Sequence, residues 1–95
     1  MARSARLVMP GMPHHIYLQG NNRQDVFDDE EDYRCYLDWL REGARQYGVD
    51  IHAYSLLKNR VYLMGTPSDG TGLARMVQWI GRHYVPYFNR KYHRS

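Results

Sequence analysis

A single cysteine, Cys35, occurs in the 95 residues, so an internal disulfide is excluded and a reducing, cytoplasmic setting is the expectation. No apolar run approaches the roughly 20 residues that a membrane-spanning helix requires. The opening Met1-Ala2-Arg3-Ser4-Ala5-Arg6 is basic but lacks the long apolar stretch of a secretory signal. Acid is missing altogether from residues 73–95, and neither an internal repeat nor a low-complexity tract is present. Hydrophobic residues make up 43% of the chain, which argues against disorder. So short a chain forms one small domain with a limited core. It divides into an irregular basic tail over 1–13 and a core over 14–92.

Charge is distributed unevenly. Residues 1–27 carry three basic residues and one acid, for +2; residues 28–47 carry seven acids and three bases, for −4. Residues 48–72 balance two against two, and residues 73–95 add five bases, for +5. Basic ends around an acidic middle suit a polyanionic partner, because neutralising phosphates releases condensed counterions. On charge alone, a solvated and solubilising surface explains the pattern equally well.

The local signals order the elements as β-α-β-β-α. Pro10, Gly11 and Pro13 keep the tail irregular. His14 to Gln19 is rich in strand formers, and Gly20-Asn21-Asn22-Arg23 is turn chemistry. Asp28-Asp29-Glu30-Glu31 opens a helix, with Asp28 and Glu31 at capping-box spacing. Tyr33, Tyr36, Leu37, Leu40, Ala44 and Tyr47 recur at helical spacing before Gly48 ends the run. Residues 50–57 and 60–64 predict a hairpin closed by Lys58-Asn59. A second long helix, capped by Asp69 or Thr71, carries Leu73, Met76, Val77, Ile80, Tyr84, Tyr87 and Phe88 on one side. Pro86 is expected to kink or interrupt it. The predicted fold is α+β: a three-stranded antiparallel sheet with two helices on one face. With a final strand, missing here, it would be the split βαβ or ferredoxin-like arrangement. An open sheet edge of this kind invites a homodimer.

Three segments carry a resemblance. The first runs from Pro10-Gly11-Met12-Pro13-His14-His15-Ile16 to Gly20-Asn21-Asn22-Arg23-Gln24. The second is His52-Ala53-Tyr54-Ser55-Leu56-Leu57-Lys58-Asn59-Arg60-Val61-Tyr62-Leu63-Met64. The third joins Leu73-Ala74-Arg75-Met76-Val77-Gln78 to Gly81-Arg82-His83-Tyr84-Val85-Pro86-Tyr87-Phe88-Asn89. In this order and spacing, over nearly all of 6–92, the chain resembles the REP-associated tyrosine transposases of the HUH superfamily. The resemblance implies a bacterial mobile-element protein in DNA transposition and recombination. It also implies cleavage and rejoining of single-stranded DNA through a tyrosine, with a divalent metal such as magnesium or manganese held by a His-x-His pair. Imidazoles two residues apart on a strand point the same way and can share an ion.

Here the family motif reads Asn59-Arg60-Val61-Tyr62. Arginine does not lose its proton near neutrality, and tyrosine is a poor ligand. Arg60 and Tyr62 are therefore degenerate metal-site positions, and no metal or other cofactor is predicted. The family's nucleophile lies downstream of the second helix, in a segment this sequence does not contain. Tyr84, Tyr87 and Tyr92 fit core positions better than that role. Three other features point to no chemistry. His14 and His15 are neighbours on a strand and face opposite ways. His52 could join one of them only across the sheet. Cys35 sits mid-helix with no helix N-terminus or cation to lower its pKa.

The surviving expectation is binding of single-stranded or hairpin DNA without cleavage. Candidate ligands are Arg3, Arg6, Asn21, Asn22, Arg23, Lys58, Asn59, Arg60, Arg75, Arg82, Arg90 and Lys91, with Arg94 beyond them. Positions 75 and 82 are two helical turns apart and share a face. Tyrosines and histidines near these cations would stack on unpaired bases. Two alternatives stay open: an active transposase completed by further sequence or a partner chain, and a fold remnant serving as a protein-interaction module.

Overall fold

The sheet is built from three segments in which apolar and polar residues alternate. The computed structural model of the protein describes residues 8–20 and 24–93. In it β1 spans His14–Gln19, β2 Val49–Leu57 and β3 Arg60–Pro67. Helix α1 spans Glu30–Tyr47 and α2 spans Gly72–Tyr92. The strand order is β1-β3-β2, with both outer strands antiparallel to β3. β1 and β2 thus run the same way, and the hairpin return through Lys58-Asn59 slots β3 between them. Among the described residues there is no fourth strand.

One face of this sheet carries the helices. Val61, Leu63 and Pro67 of β3 are buried on it, with Ile16 and Leu18 of β1 alongside. The β2–β3 register slips by one residue between Ile51 and Ala53. Because of this bulge Val49 and Ile51 face the helices before it, and Tyr54 and Leu56 after it. That is why the alternation in this segment reads only loosely in sequence. From the helix side come Tyr36, Leu40 and Ala44 of α1 and Leu73, Met76, Ile80, Tyr84 and Phe88 of α2. Phe27, fully buried ahead of α1, packs against Tyr33, Tyr36 and Tyr84. Removing such a ring from water is worth about 2–3 kcal/mol.

The helix ends differ in detail from the sequence expectation. The N-cap of α1 is Asp29, one residue later than the Asp28–Glu31 spacing suggests. Asp29 Oδ1 accepts the Asp32 amide at 3.1 Å, and Asp32 Oδ2 accepts the Asp29 and Asp28 amides at 3.2 and 2.9 Å. The acidic run permits several capping registers, and contacts made by Asp32 on its far side select this one. At the other end Gly48 is left-handed, with φ of 69°, where a side chain would also collide with Ser68. For α2 the capping acceptor is Asp69, which takes the amides of Thr71 and Gly72 at 2.9 and 2.8 Å; Thr71 makes no side-chain cap. Helix α2 continues through Pro86 to Tyr92 rather than breaking there. The hydrogen bond that proline forfeits lies on the solvent side, while Tyr84 and Phe88 keep the helix seated on either side of it.

Among the described residues Asp32 is the one charged side chain buried in the core. Besides the two amides it accepts the hydroxyls of Tyr87 and Tyr92, each at 2.6 Å, and the Lys91 ammonium at 3.0 Å. Lys91 also reaches Glu31 at 2.7 Å and Asp29 at 3.0 Å. Burial alone would raise the Asp32 pKa. The bonds from Tyr87, Tyr92, the Asp28 amide and Lys91 outweigh burial and hold the carboxyl far below the usual carboxylate range. The start of α1 and the end of α2 are joined through this group.

Replacing Asp32 by Ala leaves two phenols and an ammonium without their shared acceptor. The expected loss at neutral pH is about 3 kcal/mol of unfolding free energy, read from urea titrations. Because the folded-state pKa is depressed, the Asp32 contribution is complete above the ordinary value of 3.8 and is lost as pH falls through the lowered one. The gap between wild type and variant should therefore narrow in acid; a gap independent of pH would contradict the assignment.

Candidate nucleic-acid interface

Among the described residues no helix packs against the other face of the sheet. On β3 the outward residues are Arg60, Tyr62, Met64 and Thr66, alternating with the buried ones. The register sets Gln19, Tyr17 and His15 of β1 beside Arg60, Tyr62 and Met64. On the β2 side Leu57, Ser55 and Ala53 lie beside the same three residues. Arg60 and Tyr62 thus share one exposed face, as their spacing predicts. Tyr62 meets Tyr17 across the strands, with ring centroids 5.1 Å apart and planes tilted by 40°. The two tyrosines are 41% and 50% exposed.

The hairpin turn anchors the segment that follows β1. The Asn59 carbonyl accepts the Gly20 amide at 3.2 Å, and the Lys58 carbonyl accepts those of Val26 and Phe27 at 2.8 and 3.1 Å. Gly20 is required here because a Cβ would run into the Gln24 carbonyl. The Lys58 ammonium stands 4.0 Å from Asp28, and both side chains are more than half exposed. Such a pair is worth at most about 1 kcal/mol and leaves the cation accessible. Asn59 is half-buried in the turn.

The remaining cations separate from this face. Arg75 and Arg82 are exposed on α2, on the side of the helix opposite its buried stripe, so they point away from the sheet. Arg90 is exposed near the end of α2. Lys91, grouped with the phosphate ligands by charge, is instead ringed by Glu31, Asp29 and Asp32. The bond to Glu31, with those to Asp29 and Asp32, holds its ammonium well above the usual lysine range against the effect of burial. Lys91 is a structural residue and is left out of the interface. Arg3, Arg6, Asn21, Asn22, Arg23 and Arg94 lie outside the described residues.

The other groups singled out by sequence have structural partners. The Tyr84 hydroxyl donates to the Val26 carbonyl, and those of Tyr87 and Tyr92 donate to Asp32. Burial pushes up the pKa of all three, and the negative charge of Asp32 adds to it. A carboxylate held so far below its ordinary pKa is a poor proton acceptor for Tyr87 and Tyr92, and the backbone carbonyl that Tyr84 meets is not a base. His14 sits against the turn before β1, bonded to the Met12 carbonyl at 2.7 Å and the Met9 amide at 3.2 Å. His52 bonds Thr66 Oγ1 at 2.7 Å. Cys35 is half-buried on α1. Tyr17 escaped the sequence reading. Its alternation with Ile16 and Leu18 marks it as outward, but only the β1–β3 register sets it against Tyr62.

An alkaline absorbance titration tests these assignments. Tyr36 and Tyr92 should ionise near pH 12, and Tyr84 and Tyr87 no earlier. A raised phenol pKa stabilises the fold fully below the ordinary value of 10.0, a contribution lost as pH rises through the raised values. Phenolate release should therefore coincide with unfolding, and Tyr92 titrating at its ordinary value in the folded protein would contradict the bond to Asp32.

Comparison with protein-family models, with curated proteins and with solved structures finds no match to this chain.

Proposed function

We propose that this chain is a transposase-family domain that binds single-stranded or hairpin DNA and does not cleave it. The observation that supports this most is the position of Arg60 and Tyr62. They alternate on the central strand, exposed, on the sheet face without helices. In the resemblance to the HUH transposases these are the positions of the metal-binding histidines. The residues present do not fit a divalent ion, since a guanidinium repels it and a neutral phenol is a weak ligand. A guanidinium does grip a phosphate through two parallel hydrogen bonds. Arg60 supplies that fork, with the Gln19 amide beside it and Lys58 at the adjoining turn. Arg75 and Arg82, on the far side of the molecule, add longer-range attraction for a polyanion.

A second reading is a protein-interaction module that works through its sheet edge, including pairing of two copies. It is favoured by an apolar groove along the free side of β1, lined by Val8, Ile16, Leu18, Leu73, Ala74 and Val77.

Fluorescence anisotropy with single-stranded and hairpin oligodeoxynucleotides at several salt concentrations tests the proposal. Binding should weaken with salt and be indifferent to chelator. Arg60→Ala should reduce affinity roughly fivefold to tenfold and lower the salt slope by about 0.7. Binding abolished by chelator, or unchanged in the variant, would sink the phosphate grip. Incubation with magnesium or manganese should yield no covalent protein–DNA adduct; an adduct would favour an active transposase. No binding at any salt, with dimers in light scattering, would favour the interaction module.

A further inference from the structure

Between Arg60 and the far end of the sheet lies a patch that phosphate binding alone does not use. Tyr17 and Tyr62 stand side by side on the outer strand β1 and the central strand β3, both about half exposed. Neither ring covers the core, which lies on the opposite face, so neither is explained by packing. A tyrosine pair left open to water on a sheet is a pair of π-faces available to a planar ligand. The chemistry around it selects among such ligands. Arg60 is two residues along β3 from Tyr62, roughly 7 Å at strand spacing. Gln19 lies beside Arg60 and Ser55 beside Tyr62, adding short polar groups. Among the described strand residues facing this way the one carboxylate is Asp50, opposite Thr66 and four residues along β3 from Tyr62. The aromatic patch thus has a cation close on one side, and the acid on this face stands farther off, at the other end of the sheet. That combination suits a ligand that is planar and apolar in one part and anionic in the next, repeating along a chain.

Resting on the DNA-binding reading above, we infer that Tyr17 and Tyr62 form a stacking platform for two unpaired bases of a single strand, with Arg60 holding the adjoining phosphate. Stacking needs bases whose faces are free, so a duplex, with its faces buried in the helix, is disfavoured. The platform therefore sets the preference for single strands and leaves sequence choice weak, since every base has a π-face.

The test is anisotropy with a labelled oligodeoxynucleotide in three forms: single-stranded, the same strand with abasic sites, and its duplex. The proteins are wild type, Tyr17→Ala, Tyr62→Ala, Tyr62→Phe and Arg60→Ala. All of these positions are exposed, and thermal melts check that the variants fold. The single strand should bind best. Each alanine variant should lose about tenfold and the phenylalanine variant little, because stacking needs the ring and not the hydroxyl. Abasic sites should weaken wild type by a similar factor while barely affecting a Tyr17→Ala/Tyr62→Ala double variant. If Tyr17→Ala and Tyr62→Ala both bind like wild type while Arg60→Ala weakens, the platform is wrong and the phosphate grip stands. If wild type binds no single strand at all, platform and DNA-binding reading fall together.

Discussion

The fold hinges on one buried carboxylate. Asp32 closes the first turn of α1 and, from the same two oxygens, receives two phenols and an ammonium from the last turns of α2. A charge at that depth is tolerated only when its hydrogen bonds are complete, and here each oxygen has at least two donors. Much else depends on this arrangement. It fixes where α1 begins and holds the end of α2 against the domain. It also assigns Tyr87, Lys91 and Tyr92 to structure. The acidic run that looks like simple surface charge in sequence is the receiving half of a joint whose other half lies about sixty residues away.

That joint lies in the helix layer, and the open face, with Arg60 and Tyr62, lies on the far side of the sheet. Strand β3 divides the two. Val61 and Leu63 belong to the core, while Arg60 and Tyr62 belong to the open face, residue by residue along the same strand. The cations divide likewise. Arg60 and Lys58 border the open face, Arg75 and Arg82 point outward from α2, and Lys91 is consumed internally. Net basic charge thus does not locate a single surface in this molecule, because its cations stand in three unrelated surroundings.

Much of the architecture was legible because it is written in short-range patterns. Helical spacing marked the buried residues of both helices, Gly48 marked the stop of α1, and Lys58-Asn59 marked the hairpin. What escaped depends on contacts distant in sequence. The Asp29 cap wins over Asp28 only because Asp32 has partners on α2. Helix α2 survives Pro86 because Tyr84 and Phe88 are seated around it. The bulge at Ile51–Ala53 blurs the alternation of β2, and the Tyr17–Tyr62 pair requires a register between strands more than forty residues apart. In the candidate site, Arg60 and Tyr62 were legible as a pair on one face from spacing alone. Their aromatic neighbour was not.

The division of labour along β3 has a consequence for how this surface can change. Residues at 60 and 62 contribute little to the core, so their replacement leaves the folding free energy nearly untouched. A small domain has little stability in reserve, and mutations that draw on it are quickly eliminated. Positions that draw on none of it drift freely. The open face is therefore where this domain is most evolvable: chemistry can be erased and rewritten there, one alternate residue at a time, over a scaffold that does not register the change.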